Sequence, residues 1–341
     1  MSRPLLMDIN YTVFLRDEKL IIIDRRAFPR KVEELLCSEC EQVAQAIERM
    51  AVQGAGDIAI AAAYGLYLAA RELEAKCCFR IQASKCLEES YQRLINTRPT
   101  GHYLKSLLDK IMSSLDDRAD PADQILSIIH QAIQKQQRRS ELTGQWAEQL
   151  LQDGDTILTH CFPGPALLYM LKMASSNNKR VKVIACETRP YLQGARLTAP
   201  SVAALKIPVT LISDNMAAYC MAAGMLSKAF TAADRIALDG TVANKVGTFQ
   251  LALAAQYHQL PFYILGYSGP DRRSRHAADI PIEIRDPREV LSYAGQMITG
   301  DGVQGFYPAF DLTPTELITA IITDRGIFQP DLIHEYWDLL Y

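Results

Sequence analysis

The second half of the chain alternates short apolar runs with longer stretches of helical periodicity. The apolar runs predict strands at 156–159, 181–185, 209–213, 235–238 and 262–265. Strands that alternate with helices pair in parallel, and the helices then cover both faces of the sheet. The pattern therefore predicts an α/β fold with a Rossmann-like, doubly wound parallel sheet. No G-x-G-x-x-G follows the first predicted strand, so a dinucleotide cofactor is not supported.

The first part of the chain has a different pattern. Residues 10–25 alternate apolar and polar side chains, which predicts a β-hairpin or two short strands. After Pro29 the spacing of apolar residues becomes helical, from Val32, Leu35 and Leu36 through Val43, Ala46 and Ile47 to Met50. Further helices are predicted at 58–70, 82–95 and 103–115. We expect a mainly helical N-terminal domain with a short hairpin in front of the Rossmann-like domain.

The helical pattern breaks at residues 116–121. Asp120 is a good N-cap, and Pro121 suits the first position of a long helix that extends to about residue 151. A chain of 341 residues also exceeds the usual size of a single core. We predict two domains, at 1–118 and 119–341, with the long linking helix in the second.

Composition excludes several classes of protein. The net charge of −3 provides no basic surface for nucleic acid. No apolar run reaches the roughly 20 residues of a membrane span, and the N-terminus lacks a signal-peptide pattern. The CxxC of Cys37 and Cys40 lies in a helical pattern with no second ligand pair. We expect a cytoplasmic protein with no metal, no membrane contact and no nucleic-acid partner.

The segment from Ala233 to Thr248 is the richest in polar chemistry. It predicts a short strand after Asp234, a turn, and an amphipathic helix that begins near Asn244 and Lys245. The N–H groups at a helix N-terminus attract anions, and a lysine there adds a full positive charge. The segment is therefore a candidate phosphate site. The alternative is that Lys245 is a solvated surface residue and Asp234 a loop cap.

Other polar residues follow the predicted strands. Ligands of doubly wound sheets bind outside the carboxyl ends of the strands. His160 and Cys161 end the first predicted strand, 187–190 the second, 213–215 the third and 239–240 the fourth. The Cys161 thiol precedes a predicted helix, whose dipole can lower the thiol pKa. It can equally be an inert packing residue.

Four stretches resemble methylthioribose-1-phosphate isomerases. They are Thr159–Cys161, Glu187–Ala199, Ala233–Thr248 and 308–323. These enzymes are related to ribose-1,5-bisphosphate isomerase and to regulatory subunits of the eukaryotic initiation-factor nucleotide-exchange complex. The resemblance covers essentially the whole chain. It implies the two-domain fold, a homodimer, and an aldose–ketose isomerisation of a furanose 1-phosphate, a step of methionine salvage, without metal or cofactor.

The resemblance also assigns site residues. It places the catalytic cysteine at Cys161 and the catalytic aspartate at Asp234. The implied substrate contacts are Gln53, Gly54, Ala55, Arg98, Gln193, Asn244 and Lys245. The chemistry agrees, because an anomeric phosphate blocks ring opening until a general acid protonates the ring oxygen. A carboxyl group kept protonated by apolar surroundings suits that role, whereas the sequence leaves enediolate and hydride routes open.

The chain departs from these enzymes around the sugar site. Their Arg-Gly-Ala-Pro-Ala-Ile-Gly is replaced here by residues 53–59, with Gln53 in place of the arginine and a new carboxylate at Asp57. Phe162 follows the cysteine, Thr241 ends the Asp-Gly turn, and Tyr307 replaces an asparagine. These changes predict retained isomerase chemistry on methylthioribose 1-phosphate or a close 5-deoxypentose 1-phosphate.

Two other functions stay open. A ribose-1,5-bisphosphate isomerase would need another cation for the second phosphate, and the loss of arginine at Gln53 disfavours it. A non-catalytic sugar-phosphate or nucleotide sensor of the initiation-factor type would retain the fold without turnover, since fold does not fix function.

Overall fold

The computed structural model describes residues 4–75, 80–98, 101–116 and 119–339, without the side chains of 74–75 and 80–86. The described residues form two compact units. Residues 8–137 form the first, here called the helical unit, and residues 4–7 with 138–339 form the second, the sheet unit. The boundary between the units falls inside one long helix, Pro121–Glu148, whereas the sequence-based boundary stands before that helix.

The helical unit begins with a small antiparallel sheet. Its strands are β1 (Val13–Arg16), β2 (Lys19–Ile23) and β3 (Glu34–Cys37), in that order. The hairpin is confirmed. The helical pattern predicted from Val32 to Met50 is wrong in its first part, because residues 34–37 pair with β2, where Leu20 lies opposite Cys37, whereas its later part forms the helix Cys40–Glu48. A run of only four residues fits either a helical or a strand period. Here pairing with the buried strand β2 selects the strand.

Five helices follow in the described part of the chain up to residue 148, and the unit boundary falls inside the last of them. They are α1 (Cys40–Glu48), α2 (Ala55–Ala75), α3 (Arg80–Ile95), α4 (His102–Ser114) and α5 (Pro121–Glu148). The predicted helices are therefore confirmed, with α2 nearly all apolar and buried through its middle. The Asp120 carboxylate caps α5, accepting from Ala122 N at 2.7 Å and Asp123 N at 3.2 Å.

The sheet unit is built on a seven-stranded sheet. In chain order its strands and those of the smaller sheets are β4 (Thr156–Thr159), β5 (Lys182–Cys186), β6 (Val209–Ile212), β7 (Lys228–Ala232), β8 (Arg235–Ile236), β9 (Val242–Lys245), β10 (Phe262–Tyr267), β11 (Ser292–Tyr293), β12 (Gln296–Met297), β13 (Phe310–Thr313), β14 (Ala320–Thr323) and β15 (Gly326–Phe328). The main sheet has the order β15-β14-β10-β7-β4-β5-β6, with only the β14–β15 pair antiparallel.

Helices lie between these strands. They are α6 (Pro165–Ser176), α7 (Ala199–Ala204), α8 (Ala217–Ala222), α9 (Thr248–Tyr257) and α10 (Arg288–Leu291). Two separate apolar clusters, one containing α6 and the other α8 and α9, accompany the sheet. The predicted doubly wound α/β architecture is confirmed. Among the described residues, no helix combines the length and apolar character that a bilayer crossing requires.

Two local predictions in the 228–248 region are wrong. The fourth predicted strand does not join the main sheet; its place is taken by β7, and Arg235–Ile236 instead pairs with β9 in the antiparallel sheet β13-β9-β8. The sequence did not indicate β7, because Lys228 interrupts the apolar run. In the folded chain the Lys228 amine is buried and lies 2.7 Å from the Asp155 carboxylate. The helix predicted from Asn244 begins only at Thr248, and Asn244 and Lys245 lie on β9.

Candidate active site

The strand order reverses between β4 and β7, and the two catalytic candidates follow these two strands. The strands are parallel neighbours, with Thr159 opposite Phe230. From β4 the chain continues towards β5 on one side, and β7 and β10 lie on the other. Crevices at such a switch point bind ligands in doubly wound sheets. Cys161 lies two residues after the carboxyl end of β4, and Asp234 lies two residues after the carboxyl end of β7.

Backbone contacts hold Cys161 in a left-handed conformation, with φ of +60°. Its N–H donates to Thr188 Oγ1 at 2.9 Å, and its carbonyl accepts from Thr198 Oγ1 at 2.5 Å. Burial raises the thiol pKa to about 11, and the opposing effects of the Lys245 and Arg285 charges are smaller. The helix dipole thus does not produce the lowered pKa that position alone suggested. At neutral pH Cys161 is a thiol.

Asp234 lies between β7 and β8, where its N–H donates to Ala243 O at 2.9 Å. Burial raises the pKa of its carboxyl to about 6, against the opposing charges of Arg285 and Lys245. Within the described residues its carboxyl oxygens make no hydrogen bond or salt bridge, so Asp234 is not a loop cap. A half-buried carboxyl with a raised pKa and no protein partner is suited to meet a ligand and exchange a proton.

Lys245 is only 3% exposed, so the surface alternative is wrong. Its Nζ donates to Tyr307 Oη and lies 4.4 Å from the ring centroid of Tyr307 and 5.7 Å from that of Tyr191. No carboxylate of the described residues lies within salt-bridge distance of Nζ. Burial lowers the lysine pKa to about 8. The position therefore combines a buried cation with neutral aromatic partners.

A second cation, Arg285, was missed from the sequence. Its guanidinium carbon lies 5.6 Å from the ring centroid of Tyr191, 5.9 Å from that of Tyr307 and 5.6 Å from that of Phe310. Its Nε lies 3.0 Å from Glu283 Oε1. The sequence did contain a signal for the pairing of Arg285 with Glu283. Residues two apart lie on the same side of an extended segment, and these two residues have that spacing.

Gln193 and Asn244 are also buried in the sheet unit. The Asn244 amide donates to Thr248 Oγ1 at 2.9 Å. Gln193 is 7% exposed, and its Oε1 has no hydrogen-bond partner among the described residues. It precedes a π-helical turn, Gly194–Thr198, whose glycine has no room for a side chain because a Cβ there would lie 1.7 Å from Cys186 O. An unsatisfied buried acceptor is costly unless a ligand completes it.

The other four predicted substrate residues lie in the helical unit. Gln53 is buried and donates from Nε2 to Met50 O at 3.1 Å. Gly54, with φ of +97°, and Ala55 lead into the first turn of α2. Arg98 follows α3 and donates to Ile47 O at 3.4 Å. All four are thus found near the end of α1 and the start of α2.

The carboxylate gained at Asp57 has a partner. The buried Arg25 guanidinium pairs with the Asp57 carboxylate and also donates to the Gln53 carbonyl. The other Asp57 oxygen accepts from Gln136 Nε2 at 2.8 Å. A guanidinium therefore lies beside position 53 even though the residue there is neutral, and Asp57 offsets its charge.

One group in the described residues has cation-ligand chemistry. His160, Cys186 and Asp214 offer ligand atoms that all lie within 4.8 Å of one another. The Asp214 carboxylate already accepts from the N–H groups of Thr188 and Arg189, at 2.8 and 2.7 Å. His160 Nε2 lies 3.0 Å from Val246 O. These contacts fix the loops on either side of Cys161.

Comparison with known proteins places the chain in a family. The Initiation factor 2 subunit family matches residues 51–330. The chain belongs to this family. The family predicted from the sequence motifs is therefore confirmed.

Relatives in the Initiation factor 2 subunit family carry two kinds of name. Methylthioribose-1-phosphate isomerase of Thermosipho africanus is 39% identical over 92% of this chain and 93% of its own length. The solved structure of 5-methylthioribose 1-phosphate isomerase from Pyrococcus horikoshii has a TM-score of 0.83 at 32% identity, covering 96% of this chain and 95% of that one. Translation initiation factor eIF-2B subunit delta from A. fulgidus has a TM-score of 0.79 at 32% identity, covering 96% of both chains.

Proposed function

We propose that this protein is an aldose–ketose isomerase that converts methylthioribose 1-phosphate, or a close 5-deoxypentose 1-phosphate, to the ketose 1-phosphate without a cofactor. The observation that carries the proposal is the placement of Cys161 and Asp234 at the ends of neighbouring strands, with the Asp234 carboxyl unpaired among the described residues. A sensor needs no acid at this point, whereas ring opening does. The 39% identity to an isomerase over nearly the whole chain supports the same choice.

Lys245 supplies the phosphate-binding charge in this proposal. Its buried ammonium has no carboxylate partner among the described residues, and a buried charge without a counter-ion is costly. A phosphate dianion provides that counter-ion. The Gln193 oxygen, which lacks a partner among the described residues, accepts from a sugar hydroxyl, and Asn244 contacts the substrate beside it. On the resemblance, Gln53, Gly54, Ala55 and Arg98 contribute further substrate contacts.

Asp234 acts as the acid. Its pKa of about 6 leaves a protonated fraction near neutral pH. The protonated carboxyl gives its proton to the ring oxygen as the C1–ring-oxygen bond breaks, which leaves a hydroxyl on that oxygen. The C2 hydrogen then moves to C1 while the C2 hydroxyl loses its proton and becomes the ketone. The proton lost at C2 balances the one taken from Asp234, so no outside oxidant or reductant is needed.

Cys161 acts beside this step as a neutral thiol. With a pKa of about 11 the group carries little thiolate at physiological pH, which disfavours a nucleophilic role. A polarisable, weakly acidic group next to C1 and C2 can relay the migrating proton or lower the polarity around a migrating hydride. Both routes use the same two residues.

The charges of the described residues favour a monophosphate substrate over ribose 1,5-bisphosphate. A second phosphate needs a second cation whose charge is not already balanced by a carboxylate. Arg285 is paired with Glu283, and Arg25 is paired with Asp57. Gln53 is neutral where the resembling isomerases have arginine. In the sheet unit, Lys245 is thus a buried cation with no carboxylate partner among the described residues.

The decisive experiment incubates the protein with separate pentose 1-phosphates and follows ketose formation by NMR. We expect turnover of methylthioribose 1-phosphate or a 5-deoxypentose 1-phosphate and much slower turnover of ribose 1,5-bisphosphate. Binding of a sugar phosphate without any ketose product would instead support the sensor function.

We further propose a cytoplasmic homodimer that assembles through α8 and α9. Phe249, Leu253 and Tyr257 form an exposed apolar stripe with a four-residue spacing on α9, and Tyr257 is 84% exposed. Exposed Met216 and Tyr219 lie at α8, which packs on α9. Apolar surface of this kind is typical of an interface. Light scattering should show a dimer, and Leu253→Asp should shift it to a monomer; a monomeric unmodified protein would refute this proposal.

A further inference from the structure

Four neighbouring strands of the main sheet are each followed, two residues beyond the carboxyl end, by a polar or thiol side chain. These residues are Asp214 after β6, Thr188 after β5, Cys161 after β4 and Asp234 after β7. The strands lie side by side in the order β7-β4-β5-β6. Because the carboxyl ends of parallel strands share one edge, the four residues form a row along it. The proposed mechanism does not use Thr188 and Asp214.

Hydrogen bonds connect Asp214 to Cys161 through Thr188. The Asp214 carboxylate accepts from Thr188 N at 2.8 Å. The Thr188 hydroxyl in turn accepts from Cys161 N at 2.9 Å. Cys186 O at 3.2 Å and His160 Nδ1 at 3.4 Å are within reach of the proton of this hydroxyl. Thr188 is fully buried, so water does not compete for these bonds.

The two residues joined by the central hydrogen bond both have a left-handed backbone. The φ angle is +60° at Cys161 and +67° at Thr188. This region is unfavourable for a β-branched residue and persists only where the surrounding contacts enforce it. On the other side of Cys161, Thr198 Oγ1 donates to the Cys161 carbonyl at 2.5 Å. Threonine hydroxyls therefore hold both the N–H and the C=O of Cys161.

We propose that Thr188 is a positioning residue, with Asp214 as its anchor, that fixes where the Cys161 thiol lies against the substrate. The proposal rests on the proposed role of Cys161 in the isomerisation. When the contacts that enforce a strained backbone are lost, the residue relaxes and its side chain moves. A displacement of about 1 Å can cost about 100-fold in rate. The Thr188 hydroxyl therefore acts on kcat and not on substrate affinity.

The test measures turnover by NMR for variants of the full-length protein. Thr188→Val retains the branched shape but removes the acceptor of Cys161 N, so kcat should fall by about tenfold or more with KM little changed. Thr188→Ser retains the hydroxyl and should restore most of kcat. Thr143→Val is the matched control and should retain kcat. It removes a buried α5 hydroxyl that has no hydrogen-bond partner among the described residues.

Asp214→Asn tests the anchor. The carboxylate accepts from two backbone N–H groups, those of Thr188 and Arg189, whereas an amide has one acceptor oxygen and directs its own N–H groups at the other donor. kcat should therefore fall, as in Thr188→Val. Asp153→Asn is the control, because its exposed carboxylate also accepts from a backbone N–H, that of Arg180 at 2.7 Å. If Thr188→Val fails to fold, Asp214→Asn decides.

Alkylation of Cys161 gives a second readout that needs no substrate. Iodoacetamide reaches a thiol more often once the thiol is released from a fixed position. Thr188→Val and Asp214→Asn should therefore label Cys161 faster, as measured by mass spectrometry. Thr188→Ser and Thr143→Val should label it at the rate of the unmodified protein.

Two results would overturn the role of Thr188. One is unchanged kcat and unchanged labelling in both Thr188→Val and Asp214→Asn. The other is an equal loss of kcat in Thr188→Ser and Thr188→Val, since the hydroxyl would then not be the cause. Failure of the proposed function looks different, because the unmodified protein would then convert no pentose 1-phosphate, while the labelling rates would still report whether Thr188 holds the thiol.

Discussion

The Nζ atom of Lys245 donates to the hydroxyl of Tyr307 and lies 4.4 Å from the centroid of the same ring. A single tyrosine thus provides a neutral hydrogen-bond acceptor for one buried ammonium, with its aromatic ring beside the same group. Neither interaction carries a full negative charge, so the lysine charge stays available for a phosphate. The resembling isomerases have asparagine at position 307, which offers an acceptor but no ring.

Lys245→Ala should weaken binding of the ketose phosphate product by about tenfold or more, well beyond the effect of a surface change. The physical reason is loss of the uncompensated buried cation. Isothermal titration calorimetry measures the affinity. Lys182→Ala, which removes an exposed lysine from β5 of the same sheet, is the control and should bind normally. Unchanged affinity in Lys245→Ala would mean that the phosphate lies elsewhere.

Binding of the ketose phosphate product should weaken as the pH rises from 7 to 9. Burial lowers the Lys245 pKa to about 8, so the ammonium loses its proton across this range. The phosphate monoester itself stays mostly dianionic there, since its second pKa is about 6. The Lys245→Ala variant should have lost this pH dependence. An equally steep dependence in that variant would assign it to another group.

Asp234→Asn should abolish turnover while the fold stays intact. The amide matches the carboxyl in shape but cannot give a proton to the ring oxygen and take one back. Turnover is measured by NMR, and the melting temperature reports the fold. Asp153→Asn is a matched control, because its exposed carboxylate pairs with Arg180 and precedes β4, at the opposite end of that strand from Cys161. Near-normal turnover in Asp234→Asn would assign the acid role to another residue.

Cys161→Ser should lower kcat by about 100-fold or more and change substrate binding little. The hydroxyl is smaller, less polarisable and far less acidic than the thiol, so neither proton relay nor the low-polarity environment is preserved. Steady-state kinetics separate kcat from KM. Full activity in Cys161→Ala would instead make the thiol a packing residue.

Gln53→Arg alone should lower both stability and turnover. It places a second guanidinium beside that of Arg25, and both positions are buried. Like charges at short range are costly in such a site. Adding Arg25→Gln should restore turnover, because one guanidinium then faces Asp57 again. Faster turnover of methylthioribose 1-phosphate by Gln53→Arg alone would show that the pocket had merely lost a contact.

Local signals fixed much of the secondary structure in advance. The strand at 156–159 matches β4, and the helix begun by Asp120 and Pro121 matches α5. Such features depend on periodicity and capping within a few residues, which the sequence displays directly. The residues after strand ends could likewise be named, because the carboxyl ends of parallel strands share one edge.

Long-range pairing escaped the same reasoning. Lys228 made β7 look too polar for a core strand, and only the buried contact with Asp155 permits it there. The stretch after Pro29 became β3 because β2 offered a free edge. In both cases a partner distant in sequence changes the free energy of a local conformation by more than propensity does.

The sequence by itself determined the family, the α/β class and the identity of Cys161, Asp234 and Lys245 as candidates. Only the tertiary structure decided their electrostatic states, because burial and neighbouring charges are properties of the folded chain. Burial raised the pKa of the thiol instead of lowering it. Folding also brought Tyr191 and Tyr307 around Arg285, residues too far apart in sequence for any local pattern to associate them.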